Sequence, residues 1–167
     1  MNINNKRLAV AFTGPSNSGK TTTIVKLSET LQDMGYKVSI IKHDPKDKAV
    51  FDKEGKDSYK FSKTGADVVV VSPHKTTFLK KRTSSIDDII SMLGEFDFLL
   101  VEGLKTIDLP RICIQRDEIN ENYFDVSDTI ATDKTIEKSL FPKDMEILDM
   151  NDIYSLINWI KINGKKV

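Results

Sequence analysis

Residues 14–21 read GPSNSGKT, and they follow the apolar run RLAVAFT of residues 7–13. The loop matches the pattern G-x-x-x-x-G-K-[ST] in full, and it separates a segment of strand length from one with helically spaced apolar residues. Glycines let such a loop curl so that successive N–H groups point inward, and the helix that follows offers its positive end to phosphate. The stretch therefore predicts a strand, a phosphate-binding loop and a helix, in that order.

This loop supplies most of the candidate ligands for a nucleoside triphosphate. Lys20 adds a positive charge for the β- and γ-phosphates, and the Thr21 hydroxyl stands where it can bind Mg²⁺. A dinucleotide loop of the form G-x-G-x-x-G is disfavoured because position 16 is serine. The predicted nucleotide-binding residues of the loop are Gly14, Ser16, Asn17, Ser18, Gly19, Lys20, Thr21 and Thr22.

Strand and helix patterns alternate along the rest of the chain. Helical spacing or capping signals mark residues 58–66, residues 86–93 and a last segment from about residue 151. Such alternation predicts a three-layer α/β fold, with a mostly parallel sheet, helices on both faces and one domain over residues 1–167. The further predicted strands are residues 37–42, the buried-looking valine run 67–72, and residues 96–103, 111–115 and 129–131.

Composition indicates a folded protein with no strong global charge. Of 167 residues, 39% are hydrophobic, and 25 basic side chains balance 25 acidic ones, so no net field favours nucleic acid or an anionic membrane. The amino-terminal MNINNKRLAVAFTG has an apolar run too short for a signal peptide, and no run approaches the ~18 residues that span a bilayer. We expect a cytoplasmic protein without nucleic-acid or membrane partners, in which Cys113 is a buried thiol.

At the end of a neighbouring strand we expect an acidic residue that either holds the magnesium through water or positions an attacking water. The segment FLLVEG ends a strand at Glu102, which is our candidate, and an ordinary strand-end carboxylate is the alternative. Asp97 precedes the same strand and would lie at the opposite edge of the sheet.

Four segments together resemble the family of the molybdopterin-guanine dinucleotide biosynthesis protein MobB. They are GPSNSGKTT, IIKHD, DKEGKDSYKFSKTGA and DFLLVEGLK, and the resemblance runs from Arg7 to the last predicted helix. It implies a cytoplasmic accessory protein that binds GTP and Mg²⁺, hydrolyses GTP weakly, forms a homodimer, and assists the enzyme that attaches GMP to molybdopterin. MinD-like relatives carry an extra lysine early in the loop, where this chain has Pro15, so no partner-inserted lysine is expected.

The same resemblance assigns residues outside the loop. The segment GKDS would place Asp57 at the magnesium or the γ-phosphate, with Asp52 as a second candidate and a solvated acid as the alternative for both. The segment IATDK would place Asp133 against N1 and N2 of guanine, unless it is a plain turn residue. His43 matches the family's KH, but the second histidine common there is missing, so no histidine metal site is expected. The predicted catalytic residues are Lys20, Glu102 and Asp57, and the predicted metal ligands are Thr21, Asp57 and Glu102.

Two other functions remain open at this point. A small-molecule kinase would use the same loop, metal and acid to transfer the γ-phosphoryl group, although four arginines without a compact pair make a poor lid. A protein-binding adaptor would keep the nucleotide only as a structural element. The basic segment SPHKTTFLKKRTSS, residues 72–85, is either a solvated loop or a surface for a pterin phosphate or an acidic partner.

Overall fold

A computed structural model describes residues 7–167, which form two compact units. The first unit comprises the chain up to His43 and from Leu93 onward, and the second comprises Asp44–Met92. Residues 1–6 lie outside the described residues, and they include the start of the amino-terminal segment that was considered as a signal peptide. None of the described helices is both long and apolar enough to cross a membrane.

The described residues contain strands, α-helices and two short 3-10 helices. The strands are β1 (Leu8–Thr13), β2 (Val38–Lys42), β3 (Val68–Val71), β4 (Thr76–Leu79), β5 (Phe98–Glu102), β6 (Arg111–Gln115), β7 (Thr129–Thr132), β8 (Glu146–Asp149) and β9 (Lys165–Lys166). The α-helices are α1 (Lys20–Asp33), α2 (Asp57–Lys63), α3 (Ile86–Leu93) and α4 (Ile153–Asn163), and the 3-10 helices are Glu121–Val126 and Lys138–Leu140.

A seven-stranded sheet forms the centre of the first unit, which confirms the predicted α/β class. The strand order is β2-β5-β1-β6-β7-β8, all parallel, and β9 pairs antiparallel with the start of β1. Every residue of β1 and of β6 is buried, as expected for central strands of a parallel sheet. The carboxyl ends of β2, β5, β1, β6 and β7 therefore meet along one edge.

The two faces of this sheet pack against different kinds of structure. On one face, α1 and α4 contact each other and bury Ile24, Leu27 and Leu31 against Leu156 and Ile160. Strand alternation sends neighbouring side chains to the opposite face, where Cys113 and Ile130 pack with Phe141 near the 3-10 helices. Cys113 is a free, fully buried thiol, and burial raises its pKa.

The second unit corrects the predicted burial of the valine run, and it shows a strand within residues 72–85, which were described as a loop. The valine run is a strand, but β3 pairs antiparallel with β4 in a separate hairpin, and Val69, Val70 and Val71 are exposed. A run of β-branched residues favours a strand wherever it occurs, while burial depends on what covers the strand. Within the basic segment, Thr76–Leu79 forms β4, and the Arg82 guanidinium pairs with Asp67 at 2.8 Å.

Candidate functional site

The phosphate-loop sequence forms a tight turn between β1 and α1. Gly14, Asn17 and Gly19 adopt positive φ angles of 132°, 64° and 95°, and such alternation turns successive N–H groups towards one side. A Cβ at Gly14 would overlap the carbonyl oxygen of Ile114 in the neighbouring strand β6, so only glycine fits there. The predicted loop therefore has the backbone shape that its sequence requires.

Several donors near the start of α1 have no acceptor among the described residues. The amide groups of Lys20, Thr21 and Thr22 belong to the first helical turn, and within residues 7–167 they donate to no carbonyl. Ser18 is 3% exposed, and its Oγ lacks a hydrogen-bond partner among the described residues. Ser16 and Asn17 are exposed at the rim. An orphaned buried hydroxyl beside unsatisfied helix amides fits the oxygens of a polyphosphate.

The Lys20 side chain folds back over the loop. Its Nζ donates to the carbonyl oxygens of Gly14 at 3.0 Å and Pro15 at 2.5 Å. Burial lowers the pKa of the Lys20 ammonium, and the negative charge of Glu102 opposes that shift. A polyphosphate would stabilise the charged ammonium further, so the lysine is placed to exchange carbonyl contacts for phosphate oxygens.

Thr21 and Glu102 meet across the edge of the sheet. β5 lies next to β1, with Glu102 opposite Phe12, and the Thr21 Oγ1 lies 3.4 Å and 3.5 Å from the two Glu102 carboxylate oxygens. Mg²⁺ is commonly bound by one or two protein oxygens together with substrate phosphates and waters. A hydroxyl and a carboxylate at this separation fit such a site.

Lys42 is a neighbour of this pair that the sequence analysis missed. It ends β2 opposite Glu102, and its Nζ lies 3.0 Å from Glu102 Oε2. The signal was available, because the predicted strand 37–42 ends in this lysine at the same edge of a parallel sheet. Lys42 therefore balances the charge of Glu102 and is placed to share any anion bound there.

Asp57 and Asp52 belong to the second unit, and each has partners within it. Asp57 begins α2 and pairs with Lys60 Nζ at 3.2 Å, with its side chain largely exposed. Asp52 Oδ1 accepts from the Ser58 hydroxyl at 2.8 Å. Their part in metal or phosphate binding stays a prediction.

Asp133 follows β7, and its carboxylate is already engaged. Oδ1 accepts from the Thr135 hydroxyl and amide at 2.5 Å and 2.9 Å, and Oδ2 lies 3.0 Å from Arg116 Nε. The Thr135 hydrogen bonds lower the pKa of this carboxyl. Guanine recognition by Asp133 stays a prediction, and it requires the base to displace one of these partners.

One family matches most of this chain. The family model of molybdopterin guanine dinucleotide synthesis protein B matches residues 9–133. A molybdopterin-guanine dinucleotide biosynthesis adapter protein from Escherichia coli is 30% identical over 90% of this chain and 90% of its own length. The adapter protein of the same name from Haemophilus influenzae is 29% identical over 95% of this chain and 90% of its own length.

A solved structure supports the same fold. The crystal structure of Bacillus subtilis MobB superposes with a TM-score of 0.74 at 23% identity, over 95% of this chain and 98% of that one. At this identity, the likeness establishes the architecture and leaves the chemistry to the residues themselves.

Proposed function

Because this chain belongs to the molybdopterin-guanine dinucleotide synthesis protein B family, we propose that it is a GTP-binding accessory protein of molybdenum cofactor maturation. In this proposal it works in the cytoplasm and assists the enzyme that converts molybdopterin to molybdopterin guanine dinucleotide. The curated relatives are named adapter proteins of that biosynthesis, and this chain matches two of them over nine-tenths of their length.

The observation that carries the nucleotide part is the juxtaposition of four groups at one edge of the sheet. The helix amides and Lys20 face the loop, while Thr21 and Glu102 lie 3.4 Å apart beside it. Bound Mg²⁺ would neutralise negative charge on the phosphoryl oxygens. In this arrangement the chain's own residues bind the polyphosphate, and Glu102 and Lys42 orient its metal-bearing end.

Weak hydrolysis is proposed because no arginine is free to stabilise charge on the transferred phosphoryl group. All four arginines of the sequence lie within the described residues, and each is engaged. Arg7 stacks on Phe96, Arg82 pairs with Asp67, Arg111 is buried, and Arg116 pairs with Asp133. The same observation disfavours the kinase alternative, which would need an arginine-bearing lid.

Nucleotide preference and turnover test this proposal directly. We expect GTP to bind more tightly than ATP, and hydrolysis to be slow alone and faster with molybdopterin and its guanylyltransferase. Titration calorimetry gives the affinities, and released phosphate gives the rates. Transfer of the γ-phosphoryl group to a small hydroxyl-bearing acceptor would support the kinase instead.

A homodimer is part of the proposal, and the β3–β4 hairpin is its candidate surface. Val69 and Phe78 are cross-strand partners, and with Val71 they form one exposed apolar face, with 55%, 48% and 74% of these residues accessible. Within residues 7–167, β3 and β4 pair only with each other, so each has an edge open to a second copy. In a symmetric dimer, the β3–β4 hairpin of a second copy would cover the apolar face and pair with the open strand edge.

The double substitution Val69→Lys and Val71→Lys should convert the dimer to a monomer, because it places two charges in an apolar contact. Val70 points to the other face of the hairpin, so Val70→Lys is the matched control and should leave the dimer intact. Light scattering after size-exclusion chromatography measures the mass. A monomeric wild type, or a dimer that persists in the double variant, rules out this interface.

A further inference from the structure

The chain leaves the sheet after Glu102 through a backbone path that local preferences do not favour. Gly103 and Leu104 have φ angles of 89° and 49°, and the left-handed region is uncommon for any residue other than glycine. The segment 103–107 contains no helix or strand, and one turn bond, from Ile107 N to Leu104 O at 3.1 Å, lies within it. Contacts from elsewhere must therefore hold its shape.

One guanidinium supplies four of those contacts. Arg111 Nη1 donates to the Gly103 carbonyl at 3.2 Å, and Nη2 lies 3.3 Å from the Leu104 and Lys105 oxygens and 2.9 Å from that of Ile107. Arg111 is 2% exposed, so these carbonyl groups are bonded to it in a place with little access to water. The planar fork of arginine can reach several acceptors at once, which an ammonium group cannot do in the same way.

The charge of this guanidinium is not balanced by direct contact with an acid. Within residues 7–167, Arg111 forms no ion pair, although the Asp128 carboxylate accepts from its backbone amide at 2.8 Å and lies close enough to favour the cation. Burial lowers the pKa of the guanidinium, because removing a charge from water is unfavourable. The four carbonyl dipoles that accept from the guanidinium are the groups that compensate this burial.

The position of Arg111 links this segment to the phosphate loop. It is the first residue of β6, where it lies opposite Ala11 of β1, and β1 leads directly into the loop. At the other end of the segment, Gly103 N donates to Phe12 O at 3.0 Å. The segment is thus tied to β1 directly at Gly103 and, through Arg111, at Ile107.

We propose that Arg111 is a positioning residue for the metal-binding side of the phosphate site. By holding residues 103–107, it keeps the Glu102 carboxylate opposite the Thr21 hydroxyl. The inference rests on the proposed function, since it concerns the same site. The hydrogen bonds from Arg111 to the carbonyl groups of residues 103–107, here called the clamp, are nevertheless a property of the protein without nucleotide. Among the described residues the Arg111 side chain bonds only to backbone carbonyl oxygens and not to Thr21, so it acts through the backbone that it holds.

The test compares Arg111→Ala, Arg111→Met and Arg111→Lys, with Arg82→Lys as an arginine control in the other unit. In nucleotide-free protein, hydrogen exchange at residues 103–107 should accelerate in the alanine and methionine variants. Millimolar methylguanidinium, far below denaturing concentrations, should restore protection in Arg111→Ala. Unchanged protection in Arg111→Ala would overturn the clamp, even if the wild type bound no GTP and the proposed function itself failed.

The second measurement separates positioning from general damage. In Arg111→Ala and Arg111→Met, GTP affinity without Mg²⁺ should change less than about twofold, because it depends on the phosphate loop. The increase in affinity and turnover that Mg²⁺ produces should fall by roughly tenfold to a hundredfold. Methylguanidinium should recover part of that gain in Arg111→Ala and none in Glu102→Gln. Equal losses with and without Mg²⁺, or an unchanged gain in a folded variant, would refute the positioning role. If the alanine and methionine variants do not fold, Arg111→Lys is judged by the same criteria.

Discussion

Replacing Lys20 with alanine should lower the affinity for GTP by at least about a hundredfold, or about 2.7 kcal/mol. Charge-assisted hydrogen bonds to phosphate are among the strong polar contacts, and this ammonium is partly withdrawn from water, where screening is weak. Its contacts within the protein are two carbonyl oxygens of the loop, not the apolar core. Losing those bonds should cost about 1 kcal/mol of stability, or about 2–4 °C in melting temperature.

Titration calorimetry with a non-hydrolysable GTP analogue measures the affinity, and thermal unfolding measures the stability. Lys26→Ala is the matched control, because Lys26 is an exposed lysine of the same helix. That variant should bind as the wild type does. If Lys20→Ala retained the wild-type affinity, the assignment of residues 14–21 to phosphate binding would be wrong.

The variant Glu102→Gln should slow GTP hydrolysis by roughly a hundredfold while triphosphate binding through the loop persists. The substitution keeps the size of the side chain and removes the negative charge that faces Thr21 and pairs with Lys42. A neutral amide oxygen is a poorer ligand for Mg²⁺ or for a water bound to it, so the stimulation by Mg²⁺ should fall in parallel.

Single-turnover hydrolysis across a Mg²⁺ titration measures both effects. Glu29→Gln makes the same chemical change on the exposed surface of α1 and should leave rate and metal dependence unchanged. If Glu102→Gln hydrolysed GTP normally and still supported the guanylyltransferase, the nucleotide would be a structural element, as in the adaptor alternative.

Local patterns in the sequence predicted much of the first unit. The strands of β1, β2, β5, β6 and β7 and the helices α1 and α4 follow from apolar spacing, glycine stops and the phosphate-loop pattern. Each of these signals depends on residues within a few positions of one another. The strand Glu146–Asp149 was missed because its four residues alternate weakly, and β4 was missed because its threonines lie in a basic stretch.

Placement in space was harder to predict. The valines of β3 were predicted to form a buried strand of the main sheet, yet they lie in a hairpin of another unit, and three of the four are exposed. Asp133 was selected for guanine from its position in a motif, and only the structure shows its carboxylate engaged by Thr135 and Arg116. A single sequence shows which side chain stands at such a position, but it does not show which other residues form hydrogen bonds or ion pairs with it.

The sequence by itself predicted a strand, a phosphate loop and a helix in succession over residues 8–33, because backbone geometry there follows from glycines and a helix start that are adjacent along the chain. The strand-end pattern nominated Glu102, but only the tertiary structure decided that its carboxylate meets Thr21 and Lys42 beside that loop. Glu102 and Thr21 are 81 residues apart, and Lys42 and Glu102 are 60 apart. They come together because β5 inserts between β2 and β1, and strand order depends on long-range packing that no local pattern encodes.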